Sequence, residues 1–171
     1  EHISPEPHPF TLSSTPTRPK ILQVTVRTSG DWTRHVARIA VGDRVYIQGP
    51  FGRFSHVFTD PAREIIMIAG GIGITPMLSM LRYMAETEDR RKTTLLWSNQ
   101  TPDHIVLPDA FEKLAGQLKG LHIVHVMTRA SEYSGEGGRM DRSKLKRLLS
   151  GCSRSAAVLV CGSDQMMNDV H

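Results

Sequence analysis

The apolar run Glu64-Ile65-Ile66-Met67-Ile68-Ala69 passes without a break into Gly70-Gly71-Ile72-Gly73-Ile74-Thr75-Pro76. A short apolar run that stops at a glycine cluster reads as a buried strand. The glycines let the backbone fold tightly and approach a ligand with no Cβ in the way. Pro76 suits a first helical position, with Thr75 as its cap, so a helix follows at once. Strand, glycine turn and helix together aim backbone N–H groups at a phosphate, such as the diphosphate of a dinucleotide. The spacing is GxGxxP, however, and the second predicted strand ends Ser98-Asn99-Gln100 without the acidic residue that grips an NAD ribose. The turn therefore departs from the ordinary NAD dehydrogenase pattern and leaves nicotinamide binding open. Taken alone, it also fits a purely structural strand-to-helix connection.

The same alternation continues to the end of the chain. Strands are predicted over 65–69, 94–98, 121–128 and 156–161, and helices over 76–87, 109–119 and 141–149, with a last helix opening at Ser163. Met77, Leu78, Leu81 and Met84 repeat at helical spacing. Such alternation predicts right-handed βαβ units, an α/β domain with a parallel sheet and helices on both faces. Residues 1–60 read differently. Short β-type runs over 11–14, 20–27 and 44–48 are bounded by Pro and Gly clusters, and one brief helix is expected over 33–39, capped by Thr33 or Asp31. These strands are too few to close a barrel, which needs about five or six. They predict part of an antiparallel barrel. The expected boundary lies near Thr59-Asp60-Pro61-Ala62, giving units of 1–60 and 61–171.

Composition narrows the classes. A chain of 171 residues can bury a core without staples, and its two cysteines, Cys152 and Cys161, match neither a disulfide framework nor a CxxC metal site. A reducing compartment is the expectation. No run approaches the roughly 18 apolar residues that span a bilayer, and no signal peptide is seen. The net charge of +4 is mild, its basic residues are scattered, and an aromatic share of 6% supplies few bases' worth of stacking, which argues against nucleic acid. There are no internal repeats.

Several residues are candidates for chemistry. Cys161 and Gly162 end the last predicted strand, where open α/β sheets bind their ligands. Cys161 there packs against a nicotinamide ring, with Gly162 leaving room for the carboxamide, or it is a small buried hydrophobe. Thr128 and Arg129 follow the third strand, and an arginine at a strand's carboxyl end can fork onto a 2′-phosphate. Arg139 is a second arginine of that kind. Gly30-Asp31-Trp32-Thr33 opens the brief helix and forms an anion site or a simple capped turn. His8 beside Pro9 is a ligand contact or a loop residue.

Read together, these segments resemble a known family. His8-Pro9-Phe10-Thr11-Leu12-Ser13-Ser14, Val26-Arg27-Thr28-Ser29-Gly30-Asp31-Trp32-Thr33, Gly49-Pro50-Phe51-Gly52, the 70–76 turn and Cys161-Gly162 occur in one order. That order resembles the dehydrogenase region of the ferric reductase and NADPH oxidase family, within the ferredoxin–NADP reductase superfamily. The resemblance implies an NAD(P)H-dependent FAD oxidoreductase. His8, Pro9, Phe10, Thr11 and Ser14 would hold the flavin, with Phe10 against its ring. Gly30, Asp31, Trp32 and Thr33 would take the FAD diphosphate. Gly70, Gly71, Gly73, Thr75 and Pro76 would take that of NADPH, or of NADH, and Cys161 would sit beside the nicotinamide C4. Thr128 and Arg129 match the 2′-phosphate position of NADPH-preferring members. Hydride would pass from nicotinamide to FAD and single electrons onward to haem in a membrane domain, the soluble part facing the cytoplasm. No metal site is implied in this chain. Family members have barrel strands before the HPFT segment, a fifth parallel strand and a C-terminal aromatic, so a fragment is expected. The alternatives are a soluble flavin reductase or electron-transfer subunit, for which two cysteines cannot build an iron–sulfur cluster, and a non-catalytic nucleotide-sensing module.

Overall fold

Four of the five strands form where apolar-rich runs predict them; the central β1 and β2 are buried on both faces, and such strands have no polar side to alternate with. The computed structural model describes residues 6–170. Its strands are β1 (Ile65–Gly70), β2 (Thr93–Asn99), β3 (Leu121–Met127), β4 (Glu136–Gly137) and β5 (Ala157–Cys161), all parallel, in the order β4-β3-β2-β1-β5. The two-residue β4 was not expected. It pairs with the end of β3, where the Gly138 N–H also reaches the Met127 carbonyl at 2.9 Å.

Helices cover both faces. On one, α2 (Ile74–Glu86) and α3 (Pro108–Gln117) bury Met77, Leu78, Leu81 and Phe111 against Met67, Leu95 and Trp97. On the other, α4 (Arg142–Leu148) and α5 (Asp164–Val170) meet Ile66, Ile68 and Leu96. Successive residues of β1 thus feed two cores, as the period of a strand requires. Asp141 caps α4, accepting the Lys144 N–H at 2.8 Å.

Three expectations are corrected. First, α2 begins at Ile74 with Gly73 as its cap, so Thr75 and Pro76 lie inside the first turn. Proline is tolerated there because first-turn N–H groups have no helical partner. The Thr75 hydroxyl caps nothing and donates instead to the Ile72 carbonyl at 3.2 Å. Second, the brief helix is α1 (Asp31–His35), followed by one tighter turn over Val36–Arg38. Its cap is Gly30, and Thr33 acts from inside, its hydroxyl accepting the Gly30 N–H at 2.9 Å. Third, the runs 11–14, 20–27 and 44–48 build no ladder among the described residues. One antiparallel bridge joins Leu12 to Val24, with the Ser13 N–H on the Gln23 carbonyl at 2.7 Å. A strand needs a neighbour for its backbone groups. The run 44–48 has none among the described residues, and Val45, Tyr46 and Ile47 are all exposed.

The N-terminal segment is tied to α2 by polar contacts. Arg82 donates to the Ser13 carbonyl at 2.6 Å and to Gln23 Oε1 at 2.7 Å, and Ser79 donates to the Ser14 carbonyl at 2.6 Å. Arg18 pairs with Glu86 at 2.8 Å. His56 is buried against α2 at 1% exposure, its ring 5.7 Å from that of Tyr83 and its main-chain N–H on Met80 Sδ.

Candidate functional site

β1 has β2 on one side and β5 on the other, so the connections leaving β1 and β5 part company at the carboxyl edge of the sheet. A crevice opens where strand order reverses, and ligands of such sheets bind there. The glycine turn follows β1 and Cys161-Gly162 ends β5, two segments the sequence separates by some ninety positions. In the fold they touch. A Cβ on Gly73 would lie 2.3 Å from the Cys161 carbonyl oxygen and 3.1 Å from the Gly162 nitrogen. Gly71 sits at φ +51, in the left-handed region that glycine enters without strain. Gly70 and Gly162 face each other, and a Cβ on either would strike Met166 Sδ, at 2.4 and 2.6 Å. Met166 of α5 thus occupies the Cβ side of both glycines.

Cys161 is half-buried, pairs in register with Ala69, and packs against the core on the α2 face. Burial pushes its thiol pKa up. The group stays a neutral thiol at physiological pH, suited to lying against a ring rather than attacking it.

The end of β3 lies at the same carboxyl edge. A hollow of about 420 Å³ is lined there by Thr128, Arg129, Ser131, Tyr133 and Gly137. Its loop hangs on the end of β2: the Thr128 N–H reaches the Asn99 carbonyl and the Arg129 N–H the Gln100 carbonyl, both at 2.8 Å. The Arg129 guanidinium is exposed and touches Gln100 Oε1 at 3.4 Å. Arg139 is exposed too, next to Gly138, and is not among the lining residues.

The two N-terminal motifs also come together. The Trp32 ring lies 4.1 Å from that of His8 and 5.5 Å from that of Phe10, leaving Phe10 38% exposed. Pro9 and Thr11 are exposed alongside. An aromatic cluster with an open face fits a flat heterocycle. Asp31, by contrast, spends its carboxylate on Arg34 at 2.9 Å. Ser14 lies in the seam with α2, its hydroxyl taking the Gln23 N–H at 3.2 Å.

One contact was missed from sequence. Arg27, in the N-terminal segment, brings its guanidinium over the glycine turn, Nη1 lying 3.5 Å from where a Gly71 Cβ would be. A cation at that place suits a diphosphate. No periodicity or spacing links position 27 to position 71, so only the fold could reveal it. His56 and His125 were missed as well: both are pushed toward the neutral form by burial, and no partner meets either His56 ring nitrogen or His125 Nδ1.

Comparison with known proteins identifies the family. Residues 67–171 match the family model described as the oxidoreductase NAD-binding domain. The chain is 30% identical over 165 residues to NADH-cytochrome b5 reductase 1 of Eremothecium gossypii, an alignment covering 94% of this chain and 57% of that protein. It is 33% identical over 153 residues to nitrate reductase (NADPH) of Emericella nidulans, covering 80% of this chain and 17% of that one. Among solved structures it is similar to the cytochrome b5 reductase domain of Ulva prolifera nitrate reductase, with a TM-score of 0.71 at 26% identity, covering 83% of this chain and 59% of the other. The chain therefore spans only part of each of these relatives.

Proposed function

The chain belongs to the oxidoreductase NAD-binding domain family, within the ferredoxin–NADP reductase superfamily, and we propose that it is the reductase part of a flavoprotein that draws electrons from NADPH and delivers them to haem. In this reading residues 61–171 bind the nicotinamide nucleotide and residues 1–60 contribute to the flavin side. FAD, when bound, would accept a hydride and release electrons singly. The chain's own residues then have defined tasks. The 70–76 turn and Arg27 hold the nicotinamide nucleotide's diphosphate. Thr128 and Arg129 take the adenosine end and its 2′-phosphate. Cys161 lies against the nicotinamide ring and limits its tilt, while His8, Phe10 and Trp32 offer the flavin an aromatic wall. The observation that carries the reading is the contact of Gly73 with the Cys161-Gly162 peptide, which brings a phosphate turn and a thiol to one crevice.

We assign the acceptor to the ferric reductase and NADPH oxidase type, on the joint presence of the HPFT and GDWT segments. A second reading, a reductase serving a haem domain outside the membrane, is favoured by the relatives named as cytochrome b5 and nitrate reductases. Among the described residues no helix is long and apolar enough to cross a membrane, which fits either arrangement. The test is anaerobic mixing of the intact protein with NADPH while flavin absorbance is followed. Bleaching, followed by ferricyanide reduction, supports the reading. A colourless protein that binds NADP+ or NAD+ without reducing ferricyanide leaves the sensing module, and one that binds neither nucleotide ends the reading. Haem reduced in a membrane-embedded part of the polypeptide favours the first acceptor, and haem reduced in a water-soluble domain or an added cytochrome favours the second.

A further inference from the structure

Trp97 lies two residues before the end of β2 and is fully buried. A buried indole needs an acceptor for its one N–H. Trp97 gives that proton to the Gly71 carbonyl, 3.0 Å away, inside the glycine turn. With its amide oxygen toward the ring, Asn99 shares the same N–H at 3.1 Å and donates to the His104 carbonyl at 3.3 Å. The main-chain carbonyl of Asn99 takes the Thr128 N–H at 2.8 Å. The end of β2 thus braces the turn after β1 through the Trp97 side chain and the loop after β3 through the Asn99 backbone.

The direction of that hydrogen bond matters. A trans peptide is planar, with its C=O and the following N–H pointing opposite ways. Drawing the Gly71 carbonyl inward onto the indole aims the Ile72 N–H outward, away from the core. Residues at the start of a helical turn have N–H groups with no intrahelical partner, which is what an anion needs. The Gly71 carbonyl also takes the Ile74 N–H of the helical turn, so the indole is a second donor on a peptide whose glycine supplies no side chain to hold it.

We propose that Trp97 is a positioning residue for dinucleotide binding: its indole N–H fixes the Gly71–Ile72 peptide with the amide facing the crevice. This rests on the reading of the carboxyl edge as a nicotinamide nucleotide site. Trp97→Phe removes the N–H and keeps a ring to pack on Phe111 and His125, whose centroids lie 4.8 and 5.5 Å away. In the intact protein, the variant is expected to bind NADP+ about 5- to 20-fold more weakly, the scale of one lost hydrogen bond in a charged site. Binding of 2′-AMP, which carries no diphosphate bridge, is expected to stay within about twofold, and turnover at saturating NADPH likewise. Unchanged NADP+ affinity overturns the proposal, and so does an equal loss for both probes, which a general loosening of the fold would give. If the phenylalanine variant does not fold, a structure of the wild-type protein with NADP+ decides. The indole must still hold the Gly71 carbonyl with the Ile72 N–H on the diphosphate, and a turn that has rotated off Trp97 refutes it. Wild-type protein that binds no nicotinamide nucleotide sinks the functional reading itself, whereas a silent Trp97→Phe variant sinks only this inference.

Discussion

Gly73→Ala tests the crevice at its tightest point. Gly73 has φ −60 and ψ −2, a conformation any residue adopts, so the substitution carries no backbone penalty of its own. Its cost is steric. The new methyl would lie 2.3 Å from the Cys161 oxygen and 2.7 Å from its carbonyl carbon, both backbone atoms of β5. Ordinary contact begins near 3.4 Å, so the turn and the strand end must part by about 1 Å, and neither can do so by rotating a side chain. Overpacking of this kind costs about 1–3 kcal/mol, which for a chain of this size lowers Tm by roughly 3–9 °C. The same displacement moves Cys161 relative to the diphosphate turn, and a shift of about 1 Å at a reacting centre can cost about 100-fold in rate. Gly116→Ala serves as the control: nothing lies within 4 Å of its Cβ and it sits in α3, so alanine there should raise stability by about 0.5–1 kcal/mol. Urea and thermal unfolding of both variants, with single-turnover flavin reduction by NADPH, give the answer. A Gly73→Ala protein as stable and as fast as wild type would refute the steric argument and the site built on it.

Other perturbations test separate parts. Cys161→Ala should slow flavin reduction at least tenfold in stopped-flow while NADP+ affinity changes less than threefold, because a contact that aligns the ring acts mainly in the transition state; an unchanged rate removes Cys161 from the site. Arg129→Ala should weaken NADPH binding by about 1–3 kcal/mol and spare NADH, and calorimetric titrations showing equal losses would deny it the 2′-phosphate. His56 supplies a pH prediction. Burial, and then the nearby Arg91, lower its pKa from 6.5, against an opposing pull from Asp89. Its folded-state pKa therefore lies below the unfolded one, so its contribution is complete above about pH 6.5 and is lost as pH falls through the folded value, by up to about 1.4 kcal/mol per unit. His56→Leu should flatten that acid limb in denaturant titrations run at several pH values. A limb that keeps its slope assigns the effect to other groups.

The sequence carried the nucleotide-binding half well. Apolar-rich runs marked β1, β2, β3 and β5 to within a residue or two, most clearly at β1 and β2, which are buried on both faces. Two strand-end motifs marked the carboxyl edge for the same local reason. Other features left no imprint. β4 exists because Glu136 and Gly137 fall beside the end of β3, not because of their own preference for strand. The runs over 20–27 and 44–48 have strand-like residues and no ladder, since alternation prepares a strand that only a neighbour completes.

What the chain determined by itself is the order of its elements and the residue types at each turn, since both follow from short-range sterics and from the period of apolar side chains. Which turns meet was decided by the tertiary fold alone. Placing β5 beside β1 rather than beside β3 set Gly73 on the Cys161 carbonyl, and seating the N-terminal segment on α2 brought Arg27 over Gly71. Those contacts join residues far apart in the chain, and their geometry depends on the packing of the whole sheet, which no local pattern encodes.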